Sequence, residues 1–287
     1  MDVVIINLDT NNRLEFDNNN FILNQMVHDN CVVQHNTSKT IKQIGEYVKS
    51  TNVNSRTINI VGYAIGQSAL DLSNKKQKLL NITSPLSNIK VIVDNKYQIT
   101  GKCDGIVKWA VGHENNNEQF VKFSIDILAP NTLWYDIEPT RVSLSPYVNT
   151  FKFPISIPES GFSYGHKDDD VLTNIYNECN VPLPLKFTLT SLATIKNPVI
   201  TRIQDGKKII LNLTLNPGDT VVINTKFGSK TITLNGKNII SQFNFKESTW
   251  LMLQPGLNTF SYGCENIENR ENFNIEVEYN QGYWGIY

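Results

Sequence analysis

Alternation of apolar and polar residues with a period of two dominates this chain and steers it toward antiparallel sheet. In "FNIEVEY", Phe273, Ile275, Val277 and Tyr279 share one face while Asn274, Glu276 and Glu278 take the other. Successive side chains of a strand point to opposite faces, so such a segment lies half-buried against a core. "IILNLTL" repeats the pattern with Ile209, Leu211, Leu213 and Leu215, "IKVIV" with Ile89, Val91 and Val93, and "VKFSIDI" with Val121, Phe123, Ile125 and Ile127. Asn235-Gly236, between "KTITL" and "KNII", supplies the residues of a two-residue type I′ hairpin, and Gly228 marks another turn. Helical spacing is confined to "GQSALDLSNKKQKLLNIT", where Ala69, Leu72, Leu79 and Leu80 can share one face and Ser68 can cap the start. The expectation is a mainly β chain with one helix, in its first half.

The 287 residues suffice for two domains. Between Ile137 and Thr173 lie Pro139, Pro146, Pro154 and Pro158, a Gly-Phe-Ser-Tyr-Gly patch and the charged "HKDDD", poor material for a helix or a central strand. This places an N-terminal domain over 1–136, a Pro-rich connector with short edge strands over 137–172, and a C-terminal domain over 173–287. A Leu-x-Pro-Gly corner occurs twice, at Pro217-Gly218 and at Pro255-Gly256, and suits a type II turn. The first corner leads into the Asn235-Gly236 hairpin and the second into "NTFSYG", so the two are not a repeat.

Charge argues against some function classes. The formal net charge is -1, and residues 1–150 hold 14 Lys/Arg against 14 Asp/Glu. Gripping nucleic acid needs clustered cations that displace counterions, which neither half supplies. No apolar run approaches the ~20 residues of a membrane-spanning helix, and "MDVVIINLDTNN" lacks the basic and apolar regions of a secretory signal, so synthesis and folding in the cytoplasm are expected. Cys31, Cys103, Cys179 and Cys264 are dispersed without C-x-x-C spacing and read as free thiols.

Chemistry-bearing motifs are sparse. Asp168, Asp169 and Asp170 beside His166 lack the alternating oxygen ligands and later Glu of a calcium loop, and read as a solvated loop. His28, His35, His113 and His166 show no H-E-x-x-H spacing, and G-x-S-x-G, the phosphate-binding P-loop and G-x-G-x-x-G are all missing. No metal, cofactor or catalytic residue is assigned, and an enzyme is not expected. The remaining candidates are aromatic: Trp250, Tyr262, Tyr283 and Trp284. Buried, such rings serve a core or a subunit interface; exposed, Trp250, Tyr283 and Trp284 could stack on a glycan or meet a partner.

With the strands laid out, the C-terminal half resembles one known pattern. Asn177 with Val181-Pro182, then Asn197-Pro198, the Leu215-to-Asp219 corner, Asn235-Gly236, and the segment from Ser248 to Asn258 follow in order the C-terminal domain of siphophage distal tail proteins. "SRTINIVGYAIG", the helix ending "KKQKLLNIT", "KYQITGKCDGIV" and "FSIDILAPNTLWYD" resemble that family's N-terminal domain. The resemblance implies a structural virion protein at the tail tip, assembled in the bacterial host cytoplasm. Its N-terminal domains would close a hexameric ring continuing the tail tube. Its C-terminal galectin-like or carbohydrate-binding-module-like sandwich would hold a tail-associated lysin or central fibre protein and a receptor-binding protein. A near-neutral first half is compatible with DNA sliding through such a ring without specific binding. The alternative is a tail component whose sandwich itself contacts cell-wall glycan.

Overall fold

The computed structural model describes residues 1–28, 31–144, 147–149, 165–167, 172–266 and 272–286. The chain divides into two compact units, one formed by Met1–Ile137 with Gly282–Tyr287 and the other by Glu138–Gln281. Residues 138–144 cluster with the second unit, and the described residues 282–286 with the first.

The first unit is built from antiparallel strands in the order Arg13–Glu15, Val3–Asn7, Ile89–Val93, Tyr97–Cys103, Phe120–Ala129, Tyr47–Ile65, Phe21–Val27. Register carries the alternation read in the sequence into packing. Ile5 faces Val91, and Ile58 and Ile60 face Ile127 and Ile125, all of them buried. A one-residue slip would send every one of these side chains to the opposite face, so burial fixes the pairing. Tyr97–Cys103 pairs with Ile89–Val93 and then, at Lys102 and Cys103, with Leu128 and Ile127. Gly101 sits at that crossing. A Cβ there would stand 2.3 Å from the Leu128 carbonyl oxygen, so only glycine permits the approach.

One α-helix, Ala69–Ile82, is present among the described residues, and the Ser68 hydroxyl accepts from the Asp71 amide at 3.2 Å as the N-cap. Its buried residues are Leu72, Leu79 and Ile82, each contributing roughly 1.5–3 kcal/mol on full burial. Leu80 is only half-buried and Ala69 is exposed, contrary to the shared face expected for them. At 3.6 residues per turn both lie roughly 100° around the helix from the middle of the 72–79–82 stripe.

In the second unit, one sheet orders Thr140–Ser143, Phe273–Tyr279, Lys186–Ser191, Thr220–Asn224, Thr231–Leu234 and Lys237–Asn238. The other orders Thr173–Asn177, Gly256–Gly263, Val199–Arg202 and Lys208–Ile210. Phe187 of the first sheet meets Phe260 of the second edge to face, with ring centroids 6.2 Å apart and both fully buried. Leu189, Val221, Ile223, Ile275 and Val277 from one sheet and Ile175, Ile200 and Ile209 from the other complete the interior of the sandwich.

"IILNLTL" is not one strand. Burial alternates as expected at Ile209, Leu211 and Leu215, but Lys208–Ile210 pairs with Val199–Arg202 whereas Thr214–Leu215 pairs with Ile195–Lys196. Between them Asn212 donates its amide to the Gln242 carbonyl. The "KNII" strand likewise ends at Asn238 and passes into the short 3-10 turn Ile240–Gln242.

The turn chemistry is as the sequence specifies. Asn235 and Gly236 take φ of 49° and 82°, both in the left-handed region that a type I′ turn requires. The two Pro-Gly corners place Gly218 and Gly256 at φ of 89° and 82°. At the first, the Asp219 carboxylate accepts from the Asn216 amide and from Asn235 Nδ2, both at 2.8 Å, which ties the corner to the Asn-Gly hairpin. At the second, Asn258 is buried. Its Oδ1 accepts from the Gln254 amide, and its Nδ2 donates to the Gln254 and Gly256 carbonyls.

Candidate assembly and ligand-contact surfaces

Two surfaces present side chains that their own unit does not use. The first is an arm. Cys31–Ser38 pairs with the first half of Tyr47–Ile65, and residues 47–55 pair with that strand alone. Beyond Arg56 the same long strand enters the sheet and its inner residues become buried. Among the described residues the arm is thus a two-stranded ribbon whose outer edges pair with no other strand, marginal in water by itself and a template for pairing with another chain. Val32, Val33, Tyr47, Val48 and Val53 are exposed along it, and Ile41 and Ile44 at its tip are 92% and fully exposed. Lys39, Lys42 and Lys49 outnumber Glu46 on the arm. The first unit also carries an apolar hollow of about 330 Å³ lined by Ile22, Tyr63, Ile65, Gln119 and Phe120.

The second surface surrounds Trp250. Its indole is half-buried and stacked on Phe243, centroids 4.7 Å apart and planes 14° from parallel. Phe243 in turn meets Phe245 at 4.9 Å, and Phe245 is 66% exposed. Lys230 Nζ lies 5.5 Å from the Trp250 ring centre and 5.9 Å from that of Phe227, itself 88% exposed. Spacing in the sequence did not select Phe227, Phe245 or Lys230. The available signal was an aromatic standing in turn-forming polar sequence, "KFGSK" and "NFNFKES".

The other aromatics have different settings. Tyr262 is buried in the sandwich. Tyr283 and Trp284 cluster with the first unit, whereas the sequence reading puts them in the C-terminal domain. Tyr283 packs edge to face on Tyr97 at 5.2 Å and donates its hydroxyl to Asp136 at 3.0 Å, a structural setting. Trp284 is 40% exposed, with its carbonyl held by the buried Arg56.

Several carboxylates among the described residues serve as acceptors. Asp126 is held below the usual range first by Lys108, 2.6 Å away, and also by Asn59. Asp219 is lowered by the Asn216 amide and the Asn235 side chain. Arg202, itself buried, holds Asp205 low through a two-pronged contact. Every described carboxylate with a resolved shift is shifted down, the direction of a structural acceptor rather than of a general acid. Among the described residues no cluster of three potential metal ligands occurs, and Asp168, Asp169 and Asp170 lie outside them.

Known families match both halves of the chain. The Phage tail protein RIFT-related domain matches residues 12–159, and the Siphovirus-type tail component, C-terminal domain, matches residues 178–283. The chain belongs to the siphovirus-type phage tail component family. The tail component shares its fold with solved structures of low identity. The SPP1 Dit protein, described as a paradigm of hub adsorption apparatus in Gram-positive infecting phages, aligns at a TM-score of 0.69 and 9% identity, over 98% of this chain and 99% of that one. A chain of the phage P2 baseplate in its activated conformation with Ca aligns at 0.54 and 11%, over 99% of both. A third, from the phage p2 baseplate with Sr, aligns at 0.51 and 12%, again over 99% of both. No curated protein sequence matches significantly. Family membership makes this a distal tail, structural component of the phage virion.

Proposed function

We propose that this tail component closes a six-membered ring at the tail tip, joining the tail tube to the host-adsorption apparatus as a non-catalytic hub. The ring assembles in the bacterial host cytoplasm. The observation that carries this reading is the arm, a two-stranded ribbon that exposes Ile41 and Ile44 at its tip. Such a ribbon is unsuited to solvent and suited to a neighbouring subunit. The apolar hollow at Tyr63 and Phe120 offers a different surface on the same unit. Arm tip to hollow is a head-to-tail contact, and head-to-tail contacts produce rings when the rotation closes. Partners at the two ends of the ring would be the tube protein on one side and, on the other, a tail-associated lysin or central fibre protein with a receptor-binding protein. DNA would pass through the ring without specific binding. Native mass spectrometry and negative-stain microscopy test the proposal. Closed rings of six chains are the expected result, and a strict monomer at high concentration, even with tube protein added, overturns it.

A second reading, glycan contact through the sandwich, is favoured by the aromatic surface around Trp250. Sedimentation of the purified protein with cell-wall preparations tests it, and no binding to any wall sinks it.

A further inference from the structure

We propose that Asn235 is a latent modification site, whose carboxamide converts spontaneously to aspartate and isoaspartate, and that the folded sandwich holds the reaction off through Asp219 and Thr220.

Asn235-Gly236 is the one Asn-Gly pair in the chain. Glycine has no side chain to shield its amide, so this pair is the most open to ring closure. The Gly236 nitrogen attacks Asn235 Cγ, a C–N bond forms as the Cγ–Nδ2 bond breaks, and the Gly236 amide proton leaves with the side-chain nitrogen as ammonia. Water then adds to either carbonyl of the succinimide and opens it to aspartate or to isoaspartate. Water is the sole co-reactant.

Both residues are exposed, so exclusion of solvent does not protect them. What protects them is that both ends of the carboxamide are engaged elsewhere. Asn235 Nδ2 donates to Asp219 Oδ1 at 2.8 Å, and Asn235 Oδ1 accepts from the Thr220 amide at 2.9 Å. Closing the ring requires the carboxamide to leave both partners. The Asn235 amide donates in turn to the Thr220 carbonyl at 2.9 Å. Backbone and side chain of Asn235 thus extend the pairing of Thr220–Asn224 with Thr231–Leu234 one step past Val221 and Leu234. Asp219 is itself anchored, since its Oδ2 accepts from the Asn216 amide at 2.8 Å. That amide first, and Asn235 second, keep its carboxyl below the usual range, so it stays ionised and an acceptor.

The products do not fit the corner. Aspartate at 235 keeps an acceptor for the Thr220 amide but sets a carboxylate against that of Asp219 where a donor stood. Isoaspartate also lengthens the main chain by one carbon inside a two-residue turn. The positive φ pair of 49° and 82° is then lost, and with it the register of Leu234 with Lys237 and Thr233 with Asn238. Folding and modification therefore exclude one another: the folded chain is protected, and a chain left unfolded loses the means to rebuild this corner.

Trypsin releases residues 231–237 as "TITLNGK", and mass spectrometry of that peptide reads the exchange of NH for O in full-length protein aged at pH 8. A synthetic peptide of the same sequence is the unfolded reference. With two hydrogen bonds to break, the folded protein is expected to react roughly thirtyfold more slowly than the peptide. Asp219→Ala is expected to speed the reaction in the folded protein roughly fivefold, and Asp219→Asn, which keeps an oxygen for Asn235, should fall between the two. Hydrogen exchange across Thr220–Asn224 in the fresh Asp219→Ala protein should match the wild type, which separates a lost side-chain contact from a loosened hairpin. Equal rates in folded protein and peptide overturn the proposal, as does an Asp219→Ala rate equal to that of the wild type. An acceleration accompanied by lost exchange protection across Thr220–Asn224 also overturns it, by assigning the protection to the hairpin as a whole.

Discussion

Replacing Asn258 by alanine distinguishes two corners that the sequence spells almost identically. Asn258 is 1% exposed and makes three hydrogen bonds across the Pro255-Gly256 corner, at 2.9, 2.7 and 3.0 Å. Each is worth about 0.5–1.5 kcal/mol net, and loss leaves buried backbone groups without partners, so about 3 kcal/mol is a central value. The second unit, of about 140 residues, unfolds with an entropy near 0.3 kcal/mol/K, so its Tm should fall by about 10 °C. Differential scanning calorimetry reads this directly. Asn258→Asp should be no better at neutral pH, because it keeps the acceptor for the Gln254 amide but loses both donors and buries a charge. Asp219→Ala, at the other corner, should shift Tm by well under half as much, since the Asp219 bonds lie at the surface. A fall below about 3 °C for Asn258→Ala, or a benign Asn258→Asp, refutes the view that these bonds hold the corner.

Ile41→Ser with Ile44→Ser should leave the monomer's melting temperature unchanged and abolish rings in native mass spectra, since both side chains are exposed in the single chain. Asp205→Asn should lower the Tm of the second unit at pH 7. Arg202 holds the folded carboxyl below its unfolded value of about 3.9, so the wild-type advantage is full above about pH 4 and declines as pH falls further toward the folded pKa. Burial pushes the Cys103 thiol up to about 11; at pH 8 iodoacetamide should reach Cys31 and Cys264 before Cys103 and Cys179, which react only on unfolding.

What the sequence discloses depends on whether a residue's role is local. Strands with one buried face were readable because burial imposes the alternation, as at Val121, Phe123, Ile125 and Ile127. Asn235-Gly236 and Ser68 were readable because a positive φ or an N-cap needs a particular side chain where it stands. The arm was not, because a ribbon exposed on both faces has no core to impose a period, and its apolar residues fall on either side. Residue type could not separate Trp250, on a surface, from Tyr262, in the core, since a large aromatic ring serves either setting. Splitting of "IILNLTL" was equally hidden. Its burial alternates throughout, and only the long-range partners, Val199–Arg202 and then Ile195–Lys196, reveal the break.

The least local feature is the return of the chain end to the first unit, and it makes a prediction of its own. Trp134 and Tyr135 pair with Tyr283 and Gly282, Ile286 is buried in the first unit's core, and the Arg56 guanidinium donates to the carbonyls of His28 and Trp284. Arg56 is 1% exposed, and these carbonyls contribute to compensating its charge. Removing residues 282–287 would take away one of them, empty the Ile286 site, and expose the edge of Trp134–Asp136. A buried Ile alone is worth about 2–5 kcal/mol when truncated to alanine, and the weakened Arg56 contact adds to it. The loss should therefore appear in the first unit's transition, although the residues removed follow the second unit in sequence. The second unit, Glu138–Gln281, keeps all of its strands and should melt as before. Hydrogen exchange resolves the two: faster exchange confined to Tyr97–Cys103 and Tyr47–Ile65 supports the argument, and faster exchange in Lys186–Ser191 and Phe273–Tyr279 instead would show that the tail stabilises the sandwich.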